Sequence, residues 1–136
     1  MANDSTRSLI LERDHDGNLA ISSTDHSDKA GVLGYDPLQH LAIGLASCLL
    51  EFADRFLSRR GYSRAAELEV TWTFDGRRCR VSTLQAELRL AIGLDEGEQT
   101  SLERMLAQCP IHQALEGPLE VPTRVRLTHA RRPAPA

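Results

Sequence analysis

A helix start is encoded in the residues around Pro37, and it constrains the fold more than any other feature. Asp36 suits the N-cap, Pro37 the first helical position, and Gln39 the third, where its amide completes a capping box. Gly61 favours a helix end just after Arg60. The sequence therefore predicts one helix from Pro37 to about Arg60, which at about 1.5 Å per residue is roughly 36 Å long.

The first half of this helix, residues 38–50, is apolar on nearly every side, and the charged side chains appear only in its second half. A helix that is apolar all round is buried all round. The segment is therefore predicted to lie at the centre of the fold.

Alternating apolar and polar residues predict strands on both sides of the long helix. A tight turn at Asp14-His15-Asp16-Gly17 makes the first two strands a hairpin, and Asp75-Gly76 turns between the next two. Residues 24–34 are polar without periodicity and predict a loop. The predicted strands are residues 8–13, 18–23, 67–74, 83–92 and 119–128.

Two shorter helices are predicted between the last two strands. One follows Asp95 and stops at Cys109-Pro110, and the other runs over residues 110–115 and closes at Gly117. Pro122 places the last strand at an edge or a bulge. This order of elements predicts an α+β domain in which the helices pack on an antiparallel sheet.

Length and charge exclude several classes of protein. The chain has 136 residues and 41% hydrophobic residues, which suits a single domain over residues 1–130 with an unstructured tail at 131–136. The net charge is −3, although fifteen of the sixteen basic residues are arginine, so nucleic acid is not an expected partner. The N-terminus lacks a signal-peptide pattern, and no stretch reaches the roughly 18 apolar residues of a membrane span. We expect a soluble, cytoplasmic protein with no membrane partner.

Three cysteines offer the chemistry of this chain, and their odd number argues against a disulfide scaffold. Cys48 lies in the apolar part of the long helix, where burial would raise the pKa of its thiol and leave it inert. Cys109 occupies the N-cap of the short helix, which favours a thiolate, and His112 follows three residues later. Cys79 lies among arginines beside a turn and is expected to be exposed and incidental.

Two other chemistries are weaker. Cys109-x-x-His112 is half of a zinc-ligand spacing that Cys48 could join, but the chain has no second pair of this kind, so no metal is expected. A Cys-His nucleophile for acyl transfer lacks a framing signature. His40 precedes Cys48 by about 12 Å along the helix axis, too far to activate it. No cofactor is predicted.

Two segments taken together resemble the osmotically inducible protein C family, whose members include organic hydroperoxide resistance proteins. The first consists of Asp36-Pro37-Leu38-Gln39-His40-Leu41-Ala42, Leu45-Ala46-Ser47-Cys48 and Arg59-Arg60-Gly61-Tyr62. The second is Gln108-Cys109-Pro110-Ile111-His112-Gln113-Ala114-Leu115-Glu116-Gly117-Pro118-Leu119-Glu120-Val121. The resemblance covers about residues 34–127. Either motif alone is weak, but their order and spacing make the pair specific.

The resemblance implies an α+β fold built as an intertwined homodimer, with the reactive sites near the subunit interface. It also implies a thiol-dependent peroxidase that acts in oxidative stress defence. Cys48 would attack an organic hydroperoxide and become a sulfenic acid, Cys109 would resolve it as a disulfide, and an external thiol reductant would restore both. This assignment reverses the order of reactivity that the local sequence favours.

This sequence differs from the family at the residues that activate the peroxidatic cysteine. Organic hydroperoxide resistance proteins use an Arg near the N-terminus, matched loosely by Arg13, and a Glu directly after the helix-start Pro, where this chain has Leu38. Gln39 stands where other relatives carry Glu, and its neutral amide can cap a helix but cannot hold an Arg by a salt bridge. Two alternatives therefore stay open: a catalytically weak redox sensor or small-ligand-binding dimer, and a structural dimer with inert thiols.

Overall fold

Strands and helices follow the predicted order in the computed structural model, which describes residues 4–25, 30–117 and 119–127. The strands are β1 (Ser5–Arg13), β2 (Leu19–Thr24), β3 (Ala66–Asp75) and β4 (Arg80–Leu90). The helices are α1 (Pro37–Arg59), α2 (Glu96–Leu106) and α3 (Pro110–Glu116). The predictions of the N-terminal hairpin, the long helix, the central strand pair and the two short helices are confirmed.

The four strands form one antiparallel sheet in the order β2-β1-β3-β4. In its middle, Leu9 of β1 faces Val70 of β3, which in turn faces Ala86 of β4. Gly17, in the β1–β2 turn, has a φ of +91°, a conformation that glycine adopts at little cost. The α+β class is therefore confirmed, with strands β2 and β4 at the two edges of the sheet.

Helix α1 lies across one face of this sheet and begins as predicted. The Asp36 carboxylate accepts the Gln39 backbone N–H at 2.9 Å, and Gln39 Oε1 accepts the Asp36 backbone N–H at 2.9 Å. The core between the helix and the sheet is almost wholly excluded from solvent. Its largest buried side chains include those of Leu9, Leu50, Leu68, Val70 and Trp72, while Phe56 and Leu57 pack in a second cluster with Leu102 of α2.

Two ion pairs fix the position of α1 along β1. Arg7 Nη1 lies 2.6 Å from Asp36 Oδ2 at the start of the helix, and Arg13 Nη1 lies 3.2 Å from Asp54 Oδ2 in its second half. Burial alone would raise the pKa of Asp36, but the Gln39 N–H and the Arg7 guanidinium hold that pKa below its usual value. The two arginines therefore connect the same strand to both ends of the helix.

Two sequence predictions are wrong for the single chain. Residues 119–127 form no strand, because no strand of the described chain pairs with them, and Thr128 and the predicted tail at 131–136 lie outside the described residues. The first half of α1 is not buried on every side either, since Leu41 is partly exposed and Gly44 is exposed. Both departures leave apolar surface without a partner within the described chain.

Candidate redox site

The sulfur atoms of Cys48 and Cys109 meet where α1 and α3 pack together. Their Sγ atoms are 2.6 Å apart, although the residues are 61 positions apart in the sequence. Both are free thiols; Cys109 is fully buried and Cys48 is partly exposed. The structure therefore brings together the two cysteines that the sequence singled out, with the helix cysteine as the more accessible of the two.

The end of α2 and the start of α3 hold Cys109 in place. The Cys109 backbone N–H donates to the carbonyl oxygen of Leu106 at 3.1 Å, and Pro110 starts the next helix. The Cys109 Sγ then accepts the backbone N–H of His112 at 3.4 Å. Cys109 is thus the N-cap of α3, as the sequence predicted, and its sulfur is fixed by the helix that it begins.

Cys48 lies in an environment that favours the protonated thiol. Burial raises the pKa of the Cys48 thiol, and the neighbouring Cys109 raises it further, while a hydrogen bond from the Ile111 backbone N–H opposes both. Glu51, one turn away on α1, adds a repulsive negative charge. The described chain places no cation among the groups that shift this pKa. The thiolate of Cys48 is therefore a minor form at neutral pH.

Arg13 does not reach either sulfur in this structure. Its Nη1 donates to the carbonyl oxygen of Leu50 at 3.3 Å and pairs with Asp54. At about 100° per residue, Asp54 lies about 240° round the helix from Cys48, so the two flank the buried stripe of α1 from opposite sides. The structure thus places the predicted activating arginine on the β1 side of α1, away from Cys109.

Asp54 is a residue that the sequence analysis missed. It accepts hydrogen bonds from Arg64 Nη2 at 3.0 Å and lies within 3.2 Å of the Arg13 guanidinium. The Arg64 hydrogen bond, aided by the charge of Arg13, holds the pKa of Asp54 below its usual value despite partial burial. Local sequence gave no signal for this role, because Asp54 reads as an ordinary charge on the polar half of a helix.

Gln39 is fully buried, and its hydrogen bonds stabilise the fold. Besides its capping contact, its Nε2 donates to Thr24 Oγ1 at 2.9 Å and so ties the end of β2 to the start of α1. It precedes Cys48 by nine residues, which is about 13 Å of helix. Leu38, in the position of the family's Glu, packs against the core and is partly buried.

Two small cavities, the first mainly apolar and the second of mixed polarity, lie beside α1 and α3, with volumes of about 170 and 190 Å³. His112 lines both of them, together with Leu49 in the first and Leu45 in the second, which flank Cys48 along the helix. Ala86 of β4 also lines both cavities. Neither cysteine lines either cavity, but the cavities have room for an alkyl group among residues that neighbour the two cysteines along the chain.

The third cysteine lies apart from this site. Cys79 is exposed, in the β3–β4 turn, with a φ of +52°. No group of three or more His, Cys, Asp or Glu side chains within the described residues is arranged to hold a metal ion. In the same part of the chain, no helix combines the length and the apolar character needed to cross a membrane.

Comparison with known families gives one clear result. A family model described as OsmC-like protein matches residues 26–124, a span that contains α1, both cysteines of the pair and the strands between them. No curated protein and no solved structure matches the chain significantly. The match covers well over half of the 136 residues and agrees with the resemblance seen in the two cysteine motifs.

Proposed function

Because the chain belongs to the OsmC-like protein family, we propose that it is a thiol-dependent peroxidase that reduces organic hydroperoxides in oxidative stress defence. The observation that carries this proposal is the 2.6 Å separation of the Cys48 and Cys109 sulfurs. A buried thiol in contact with a more accessible one is the arrangement that a resolving and a peroxidatic cysteine need. The free thiols suit a reducing compartment, and we place the protein in the cytoplasm.

The reaction balances with these two residues and an external thiol. The Cys48 thiolate attacks the terminal oxygen of the hydroperoxide, the O–O bond breaks, and the alkoxide leaves as an alcohol after taking up a proton. Cys48 is now a sulfenic acid. Cys109 attacks its sulfur, an S–S bond forms, the S–O bond breaks and water leaves. Two equivalents of an external thiol then reduce the disulfide and are themselves oxidised.

Preference for an organic substrate is supported by the two cavities whose walls include Leu49 and His112, chain neighbours of Cys48 and Cys109. Their walls are mainly aliphatic, with Leu45, Leu49, Leu84, Leu88 and Leu106 among the lining residues. Burial of an alkyl group contributes roughly 0.8 kcal/mol per CH₂ group, which hydrogen peroxide cannot gain. We therefore propose that the alkyl part of the substrate occupies this region.

A catalytically weak redox sensor is the second candidate. It is favoured by the raised pKa of Cys48 and by the position of Arg13, whose guanidinium is engaged by Asp54. A protein of this kind would keep the disulfide chemistry but would react slowly and without preference for organic peroxides. The rate and selectivity of Cys48 oxidation separate the two candidates.

The test is to expose the reduced protein briefly to cumene hydroperoxide and to map its disulfides by mass spectrometry. We expect a Cys48–Cys109 bond to form within seconds and faster than with hydrogen peroxide. A Cys79→Ser variant is the matched control, because it removes the exposed thiol and leaves the pair intact. Slow oxidation without preference for either peroxide would support the sensor instead, and oxidation led by Cys79 would refute both.

We also propose that the functional unit is a homodimer in which residues 119–127 pair with a second copy of the chain. Their alternating apolar side chains are 63–88% exposed in the single chain: Leu119, Val121, Val125 and Leu127. Strands β2 and β4 are sheet edges with backbone groups free to pair, and the exposed Gly44 on α1 leaves room for a close approach. A second copy supplies matching surfaces for each of these.

Replacing Val121 and Val125 together with asparagine should weaken this dimer. Each valine contributes about 1.5 kcal/mol or more when buried, so we expect the dissociation constant to rise by about a hundredfold. Sedimentation equilibrium at several protein concentrations measures it. The control replaces Arg124 and Arg126, on the opposite side of the same segment, with asparagine. Equal weakening by both variants, or a monomeric parent protein at micromolar concentration, would contradict the proposal.

A further inference from the structure

His112 is the histidine of α3 and lies in the helix that begins at Cys109. It is the third residue after the N-cap Cys109, and its own backbone N–H donates to the Cys109 sulfur at 3.4 Å. The Cα–Cβ bond of a helical residue is tilted toward the helix N-terminus, and for His112 this is the end of α3 at which Cys109 lies. Neither the family match nor the peroxidatic chemistry assigns this side chain a role.

The two ring nitrogens of His112 are in different environments. Nε2 lies 3.2 Å from Oε1 of Glu116, one turn further along α3. Within the described residues, Nδ1 is buried and has no hydrogen-bond partner. A carboxylate at Nε2 favours the tautomer with its hydrogen on that atom, which leaves a lone pair on the buried Nδ1. A buried nitrogen without a partner is costly, and such atoms in native proteins call for an explanation.

The residues that line the two cavities with the ring are apolar apart from two carboxylates. Helix α3 contributes Glu116, helix α2 contributes Glu103, and helix α1 contributes Leu45 and Leu49. The Cys109 sulfur, which contacts that of Cys48, accepts the backbone N–H of His112. Strand β4 contributes only apolar side chains to the cavity walls. Among the described residues, the lining of the two cavities thus contains two carboxylates and one imidazole, but no cysteine, lysine or arginine. His112 is the base that these residues offer to the pair.

We propose that His112 is the proton acceptor for Cys109 in the resolving step, with Glu116 orienting its ring. This inference rests on the proposed function. His112 Nδ1 takes the proton of the Cys109 thiol, and the resulting thiolate attacks the Cys48 sulfenic sulfur. The S–S bond forms as the S–O bond breaks, and the departing hydroxide takes the proton from the imidazolium and leaves as water. His112 ends neutral, and the peroxide is the only oxidant used.

The experiment isolates the attack of Cys109 from the reaction with peroxide. In a Cys79→Ser background, Cys48 is converted to its mixed disulfide with 2-thiopyridine, and the release of thiopyridone by Cys109 is followed by absorbance. His112→Asn keeps a polar group near the position of Nδ1 but removes the base. We expect release at pH 7 to slow by about a hundredfold, the usual contribution of a positioned general base. Hydroxide in alkaline solution can replace a missing general base, so the difference between the variant and the parent should narrow as the pH is raised from about 7 to about 9.5.

The controls separate this role from a structural one. His15→Asn, which changes an exposed histidine, should leave release unchanged at every pH. Glu116→Gln should slow release less than His112→Asn does, because the ring keeps a hydrogen-bond partner. Unchanged release in His112→Asn, or a loss that alkaline pH does not restore, would overturn the inference. If the parent protein releases thiopyridone through His112 but does not react with hydroperoxide, the proposed function fails and the role of His112 stands.

Discussion

Replacing Cys48 with serine is expected to lower the rate of organic hydroperoxide reduction by about a thousandfold or more, as loss of a covalent nucleophile generally does. Cys48 is the accessible member of the pair, whereas Cys109 is fully buried beneath it. Serine fills the same space but its hydroxyl does not react with peroxides. The measurement is peroxide consumption coupled to a dithiol reductant, with the free energy of unfolding of the variant checked in parallel.

Cys109→Ser is the matched control, because it changes the other sulfur of the same contact. It should still consume one equivalent of hydroperoxide and leave a sulfenic acid on Cys48, which a 1,3-dione reagent traps. Turnover should fall, since no disulfide can form between the two residues. If Cys109→Ser abolished the first oxidation and Cys48→Ser preserved it, the roles of the two cysteines would be reversed.

The pH dependence of this first oxidation follows from the electrostatics of Cys48. Because burial and Cys109 raise the pKa of Cys48, its thiolate is scarce at neutral pH. As long as the pH stays below that pKa, the thiolate fraction rises roughly tenfold for each unit by which the pH increases. The rate in the parent protein should therefore rise about a hundredfold from pH 6 to pH 8. A plateau below pH 7 would show that a cation reaches Cys48 in the assembled protein.

Much of the fold could be predicted because its signals are local. The capping residues Asp36 and Gln39 and the end signal at Gly61 mark the limits of α1 to within two residues, since each satisfies backbone groups of its own helix. Cys109 was likewise recognised as an N-cap from Pro110 and the helix that follows. These helix caps and ends depend on contacts between residues that are close in sequence, so they could be predicted from short sequence segments.

The parts that failed depend on contacts distant in sequence. Residues 119–127 alternate as a strand should, but the partner that would pair with them is not in the described chain. Local sequence also placed Cys48 in the core, whereas the buried stripe of α1 passes through Leu45 and Leu49 and leaves Cys48 on its flank. The partner of Arg13 could not be predicted either, because nothing near Asp54 distinguishes it from other helix carboxylates.

Replacing Asp54 with asparagine is expected to lower the free energy of unfolding by about 3 kcal/mol, the scale for removing one partner of a buried ion pair. Arg13, whose side chain is only 9% exposed, would keep its charge and lose its carboxylate. Asparagine has nearly the same shape, so the change tests charge and not packing. Urea unfolding measures this loss. The protein concentration is kept the same for all variants, so that any contribution of dimer formation to stability stays constant.

Glu51→Gln is the control for this change, since Glu51 is an exposed carboxylate on the same helix, paired with the exposed Arg55. Its loss should cost less than about 0.5 kcal/mol. The pH dependence gives a second check. The pKa of Asp54 is lowered in the folded chain, so its stabilising effect is full above the unfolded carboxyl pKa and is lost as pH falls through the lower folded value. Asp54→Asn should therefore flatten the acid limb of the stability curve. Equal losses in the two variants would show that Asp54 does not hold Arg13 against α1.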